Sequence, residues 1–261
     1  MSDIKINGLS FSYQGSDKLI LKDIDIEVNA GEFVCILGQS GCGKSTLLRL
    51  LAGLEIPTTG SLFIEGEPIT GASLKRGVVF QDYGLFPWMT SGENIMLALK
   101  QCFPKQDKKE LKKVALDMLK EVGLEESVYK KLPKELSGGM KQRCAIAQAF
   151  STNPPILLMD EPFGALDAVT RARLQDLVLK LWSQDKQKKT VFFVTHDVDE
   201  ALLLANRIIV LGQSPSHVIY ECVIPEGQRP TREKQFEDIE ILKLRNTLIA
   251  QINKDVAVHI S

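Results

Sequence analysis

This sequence of 261 residues has almost no surplus of either charge: 32 Lys and Arg stand against 33 Asp and Glu, a net of −1. Without a basic excess to release counterions from a nucleic-acid backbone, DNA or RNA is disfavoured as the main partner. Also lacking is any apolar run near the roughly 18 residues that cross a bilayer, so no membrane span is expected. The opening stretch MSDIKINGLSFSY has neither a basic start nor an apolar core of about 7–15 residues. The chain is therefore expected to stay in the cytoplasm. Cysteines number five (Cys35, Cys42, Cys102, Cys144 and Cys222), an odd and scattered set with no C-x-x-C pair. That argues against a disulfide framework and against a zinc site. The three histidines, His196, His217 and His259, are far apart, so any metal chemistry must use oxygen ligands. No internal repeat and no low-complexity tract is present. What remains is an ordinary globular composition, 44% apolar and 25% charged. Its length allows one large α/β domain or two modest ones at about 150 residues each.

Short β-type runs fill residues 4–28, broken by the polar turn QGSDK, and imply an antiparallel opening. Residues 32–37 form a short apolar run of the kind a doubly covered strand shows. A glycine-rich loop and the apolar sequence LLRLLAG follow at once, with Gly53 as a helix stop. Further strands are expected at 61–65 and 77–81. Residues 105–122 place Leu111, Val114, Ala115, Met118, Leu119 and Val122 at helical spacing, with charge on the other face. After a helix that ends before Pro154, the pattern alternates: strand 156–159, helix 170–183, strand 190–195, helix 198–205 and strand 207–211. Such alternation implies a mostly parallel sheet with helices on both faces. Residues 212–233 read as Pro- and charge-rich, and the sequence IEILKLRNTLIAQI then reads as one more amphipathic helix.

Residues 38–46 read GQSGCGKST and fit G-x-x-x-x-G-K-[ST] between an expected strand and an expected helix. The residues concerned are Gly38, Gln39, Ser40, Gly41, Cys42, Gly43, Lys44, Ser45 and Thr46. Glycines let backbone N–H groups turn inward as an anion nest at a helix amino terminus. Lys44 is then expected to reach the β/γ-phosphates and Ser45 to ligate Mg²⁺. The strand ILLMDE (156–161) ends in two acids. Asp160 is expected to hold the metal through water, and Glu161, one residue further, to act as general base on an attacking water.

Residues 136–143, LSGGMKQR, resemble the signature motif of ATP-binding cassette (ABC) ATPases. Generic phosphate-loop proteins lack it, and Leu136, Ser137, Gly138, Gly139 and Gln142 carry the match. The resemblance extends over about residues 4–211. It implies a phosphate-loop NTPase core with a mostly parallel sheet, an antiparallel β subdomain and a helical insert at about 88–155, followed by a tail at 212–261. It further implies that Tyr13 stacks on adenine, that Gln81 contacts magnesium and the attacking water, and that the loop ending in Asp167 meets the opposite subunit. His196 would contact the γ-phosphate and orient the catalytic acid. In such proteins ATP lies in a homodimer, between the lysine loop of one copy and the signature of the other.

Three segments narrow the resemblance: LFPWMT (85–90), with Trp88 its most telling residue, PFGALDA (162–168) and HDVDEA (196–201). Together they resemble the importer ATPases of the nitrate, sulfonate and taurine group. The implied role is ATP hydrolysis coupled to uptake of a small solute on the cytoplasmic face of the cell membrane. Two integral-membrane permease subunits and an extracytoplasmic solute-binding protein would be the partners, with no nucleic acid. A thiamine-precursor importer, an exporter ATPase and a cassette acting on nucleic acid or the ribosome are the alternatives. Where the group has a hydrophobic pair before Glu93 and Asn94, this chain has Ser91 and Gly92, which is expected to loosen that helix start. The 50 residues after Leu211 are too few for the regulatory barrel of sugar-type importer ATPases, so the tail is expected to pack on its own core.

Overall fold

The structure, a computed structural model, describes residues 3–164, 166–183, 188–225 and 227–260. Ala165, in the expected subunit-contact loop, lies outside the described residues. The first elements are β1 (Ile4–Ser12), β2 (Leu19–Val28), β3 (Phe33–Leu37), α1 (Lys44–Ala52), β4 (Thr59–Ile64), β5 (Glu67–Pro68) and β6 (Arg76–Val79). Then come α2 (Ser91–Cys102), α3 (Lys108–Glu121), α4 (Gly138–Ser151), β7 (Ile156–Asp160), α5 (Ala168–Ser183) and β8 (Thr190–Thr195). The last are α6 (Val198–Leu204), β9 (Arg207–Leu211), β10 (Val218–Val223) and α7 (Ile239–Ile260). No helix among the described residues is long and apolar enough to cross a membrane. Two compact units form, Met1–Ser73 with Gln187–Ser261, and Leu74–Lys186.

In the first unit, β2, β1, β4 and β5 pair antiparallel in that order. Their inward residues include Ile4, Ile6, Ile26 and Val28, which alternate with exposed ones as a one-sided sheet requires. Beside them β3 runs parallel to both β8 and β9. Every residue of β3 and β8 is buried, the state that a strand covered on both faces needs. Helix α1 buries Leu47, Leu48, Leu50 and Leu51 and stops at Gly53. The Gly53 N–H caps the carbonyls of Arg49 and Leu50 from a left-handed φ of 73°. The edge strand β10, antiparallel to β9, lies inside the stretch 212–233 read as Pro- and charge-rich, where no strand was expected. Its VIYECV composition is β-prone, but its half-exposed residues give no buried pattern.

In the second unit β6 and β7 pair in parallel, with Val79 opposite Met159. Helices α2, α3 and α4 pack on one another, and α3 buries Leu111, Ala115 and Leu119 at the four-residue spacing read from sequence. The start of α2 is fixed, not loosened. Thr90 and Glu93 form a reciprocal capping box, with Glu93 N–H on Thr90 Oγ1 at 3.2 Å and Thr90 N–H on Glu93 Oε2 at 2.8 Å. Gly92 stands there because a Cβ would lie 2.5 Å from three atoms of the Tyr129 ring. The departure from the hydrophobic pair is therefore a packing solution.

Candidate functional site

In the first unit β3 delivers the chain at Leu37 into the glycine loop, and α1 begins at Lys44. Gly43 caps α1 at φ 103° with no side-chain acceptor, and the first turn carries no acid. A helix start built this way suits an external anion, because no side-chain oxygen or acid of its own answers the first-turn amide donors and the positive end of the dipole. Close packing enforces the loop: a Cβ on Gly38 would come 2.8 Å from Cys42 Sγ and 2.9 Å from the Leu211 carbonyl. Lys44 is buried, and its Nζ donates to the carbonyls of Gly38 at 3.0 Å and Gln39 at 2.9 Å. The ammonium is thus held across its own loop. Burial raises the Cys42 thiol above its ordinary range, and the nearby Lys44 charge only partly offsets this, so Cys42 packs here as a neutral thiol.

Tyr13 stands beside this loop, its hydroxyl 3.1 Å from Thr46 Oγ1. Phe11 meets its ring edge-on at 4.9 Å, and 40% of the residue remains exposed. His196, exposed, follows the last residue of β8. The next residue, Asp197, caps α6 by accepting from the N–H groups of Asp199 at 2.9 Å and Glu200 at 3.2 Å. Gly38, Gln39, Ser40, His196 and Val198 line an open cleft of about 510 Å³, closed on one side by Ile249, Ile252 and Asn253 of α7. No motif flags those three tail residues; only the helical periodicity of the tail hints that one face has a partner.

In the second unit Asp160 ends β7 in a buried position, and Glu161 follows at φ 40°. A left-handed non-glycine residue is uncommon and turns the chain sharply between the two acids. Gln81 lies two residues beyond β6, so the parallel pairing brings it to the same sheet edge as Asp160. Ser137 caps α4, accepting from Met140 N–H at 3.3 Å, and Ser137 and Gly138 are exposed. Gly139 packs against Thr170, whose N–H donates to Asp167 Oδ1 at 2.9 Å. The signature turn and the Asp167 turn are therefore neighbours. The hydrogen bond from the Thr170 side chain, then that from its N–H, holds the exposed Asp167 carboxyl below its usual range. Leu136 and Gln142 are buried, and Gln142 Nε2 has no hydrogen-bond partner among the described residues. The face that the signature offers outward is Ser137 and Gly138.

A buried parallel strand, a glycine loop and a helix start without a side-chain cap define a phosphate-loop nucleotide-binding protein. The family model described as ABC transporter matches residues 21–164. The chain belongs to that family, whose ATPases couple ATP hydrolysis to transport. Among curated relatives, the nitrate import ATP-binding protein NrtD of Synechococcus elongatus is 43% identical over 91% of this chain and 86% of its own length. The aliphatic sulfonates import ATP-binding protein SsuB of Bacillus cereus is 45% identical over 90% and 92%. The bicarbonate transport ATP-binding protein CmpD of Synechocystis is 43% identical over 87% and 80%. Of solved structures, the ATP-binding cassette MJ0796, a dimer in a post-hydrolysis state bound to ADP and Pi, superposes with a TM-score of 0.77. It is 35% identical and covers 85% of this chain and 99% of its own.

Proposed function

We propose that this protein is the ATP-hydrolysing, energy-coupling subunit of an importer for a small anion. The observation that carries the reading is near full-length similarity to nitrate and sulfonate import ATP-binding proteins. Bicarbonate joins the candidate solutes through the third relative, beside taurine. Two copies clasp ATP and act on two permease subunits from the cytoplasmic face of the membrane, with an extracytoplasmic binding protein delivering the solute.

Each residue then has a defined task. Tyr13 stacks on adenine, and the loop amides with Lys44 hold the β- and γ-phosphates. Glu161 takes the proton from the attacking water, so that the water oxygen bonds to the γ-phosphorus as the bond to the β-γ bridging oxygen breaks. His196 contacts the γ-phosphate and orients Glu161, while Gln81 positions the water. Ser137 to Gly139 of the second copy close on the triphosphate, and Asp167 completes the contact between copies. Ser45, Gln81 and Asp160 offer a hydroxyl, an amide oxygen and a carboxylate, the hard oxygen donors that Mg²⁺ takes beside nucleotide phosphates. When bound, Mg²⁺ neutralises charge on the β- and γ-phosphates.

Donors converging on one triphosphate from two chains make ATP a ligand of the closed dimer and stabilise it by mass action. Loss of the γ-phosphate removes that bridge and favours reopening. Glu161→Gln should retain ATP binding, accumulate the closed dimer by light scattering and slow turnover by about 100-fold or more. Unchanged steady-state hydrolysis would remove Glu161 from this role. With the partner permease and its binding protein in liposomes, ATPase stimulation by nitrate, bicarbonate, an alkanesulfonate or taurine tests the solute class. A response to none of them refutes anion import.

A further inference from the structure

The tail helix α7 is tied by polar contacts at two places to the loops that flank the cleft. Near its start Arg245 forks onto Asp199, with Nε at 2.6 Å from Oδ1 and Nη2 at 3.2 Å from Oδ2. Such a bidentate pair fixes angle as well as distance. Buried Gln235, just before α7, donates to the carbonyl of the same Asp199. Ten residues beyond Arg245, about 15 Å along a helix, Asp255 accepts the Gln213 N–H at 2.7 Å. The Gln213 side chain in turn donates to Gln39 Oε1 of the phosphate loop at 2.8 Å. Ile249, Ile252 and Asn253 lie between the two ties and face Gly38, Gln39, Ser40 and His196 across the cleft.

Asp199 is held from two sides. Its side chain and carbonyl belong to the tail, while its N–H is received by Asp197, the residue directly after His196. A pull on Asp199 is thus transmitted through the cap of α6 to the turn that carries His196. We propose that Arg245 is a positioning residue for hydrolysis: through Asp199 it sets the turn that bears His196, and α7 thereby couples the tail to the chemical step. This rests on the assignment of His196 to the γ-phosphate. A positioning role of this kind acts on turnover and leaves nucleotide affinity almost unchanged, because neither Arg245 nor Asp199 belongs to the phosphate loop.

The experiment is steady-state ATP hydrolysis by the full chain as parent, Arg245→Ala, Asp199→Ala, the double variant and Arg245→Lys, each with its melting temperature. Arg245→Ala should lower kcat about three- to tenfold, inside the roughly 2- to 30-fold range in which substitutions along a coupled network act, with KM for ATP within twofold of parent. Asp199→Ala should match it, and the double variant should be no worse than either, because both remove one interaction. Arg245→Lys keeps the charge but not the fork and should recover part of kcat. If Arg245→Ala folds poorly, the parent-to-lysine comparison, made below the melting temperature of both, carries the test. A parental kcat in both Arg245 variants, a raised KM at constant kcat, or additive losses in the double variant would each overturn the proposal. Glu161→Gln assayed in parallel separates the two readings. Normal turnover there overturns the site itself, whereas abolished turnover there with parental kcat in the Arg245 variants overturns only the tail coupling.

Discussion

Truncating the Tyr13 ring asks whether adenine rests on it. The ring is anchored twice, edge-on to Phe11 at 4.9 Å and through its hydroxyl to Thr46 at 3.1 Å, yet 40% of the residue is open. A ring held at two points yet 40% exposed leaves apolar surface open to a base, as the proposed stacking requires. Stacking of a base on such a ring is worth about 1–3 kcal/mol by alanine substitution, so Tyr13→Ala should weaken ATP binding about 5- to 150-fold. Tyr13→Phe keeps the ring and loses one partly buried hydrogen bond, about 0.5–1.5 kcal/mol. That loss falls on local order, so the phenylalanine variant should bind ATP much closer to parent than the alanine variant. Because every purine offers a similar face, GTP should compete within about tenfold of ATP. Displacement of a fluorescent ATP analogue, with melting temperatures as a folding control, measures all three. An alanine variant within twofold of parent would refute the stacking, and a phenylalanine variant as poor as alanine would show that the hydroxyl, not the ring, does the binding.

Gly92→Ala would ordinarily gain up to about 1 kcal/mol of helix propensity, but the 2.5 Å approach to Tyr129 overpacks the helix start at about 1–3 kcal/mol. Denaturant unfolding should show net destabilisation that disappears in a Tyr129→Leu background. Thr90→Ala removes the α2 cap and should cost about 0.5–2 kcal/mol in the same assay. The Thr90 N–H, then its side chain, hold the Glu93 carboxyl below its usual range. A lowered folded-state pKa gives stability that is present above the ordinary glutamate value and lost as pH falls through the folded one. The melting temperature of Glu93→Gln should therefore decline less than that of parent between about pH 6 and 3. Ser137→Arg should abolish ATP-dependent dimers in light scattering while leaving monomer nucleotide binding intact. It also loses a cap worth about 1 kcal/mol, so the monomer binding readout doubles as the folding control, and ATP-dependent dimers that persist in the folded variant would refute the closure model.

Much of the fold was legible where one residue pattern admits one structure. The runs FVCIL of β3, ILLM of β7 and VFFV of β8 are apolar throughout and too short for a helix, and with turn residues on either side they read as covered strands. The spacing of Leu111, Ala115 and Leu119 reads as a helix face. The glycine loop was legible because its geometry needs glycine at fixed places. Strand β10 was missed because an edge strand buries little and so imprints no alternation. The start of α2 was misread because Gly92 was weighed by its own freedom; what decides its role is Tyr129, 37 positions away in sequence. The tail contacts were invisible for the same reason. Asp199 and Arg245 are 46 residues apart and Gln213 and Asp255 are 42 apart, and nothing local to either partner marks it as paired.

The proposed chemical groups and the proposed contacts between copies sit on different kinds of structure. Lys44, Asp160, Glu161 and His196 each lie at or within seven residues after the end of a wholly buried strand, Leu37, Asp160 or Thr195. A buried strand cannot shift without opening its core, so groups at its carboxyl end inherit its rigidity, which proton transfer and phosphate positioning require. Ser137, Gly138 and Asp167 instead lie exposed at helix starts, where Ser137 and Asp167 are held by short local hydrogen bonds. Such turns are stable whether or not a second copy covers them, so they can meet and leave a partner in every cycle without the protein unfolding there. Substitutions of Asp160, Glu161 and His196 should therefore act on kcat, that of Lys44 on nucleotide affinity as well, and substitutions at the exposed turns on association. Arg245 joins the first class although it lies on a tail helix, because through Asp199 it grips the turn that follows β8.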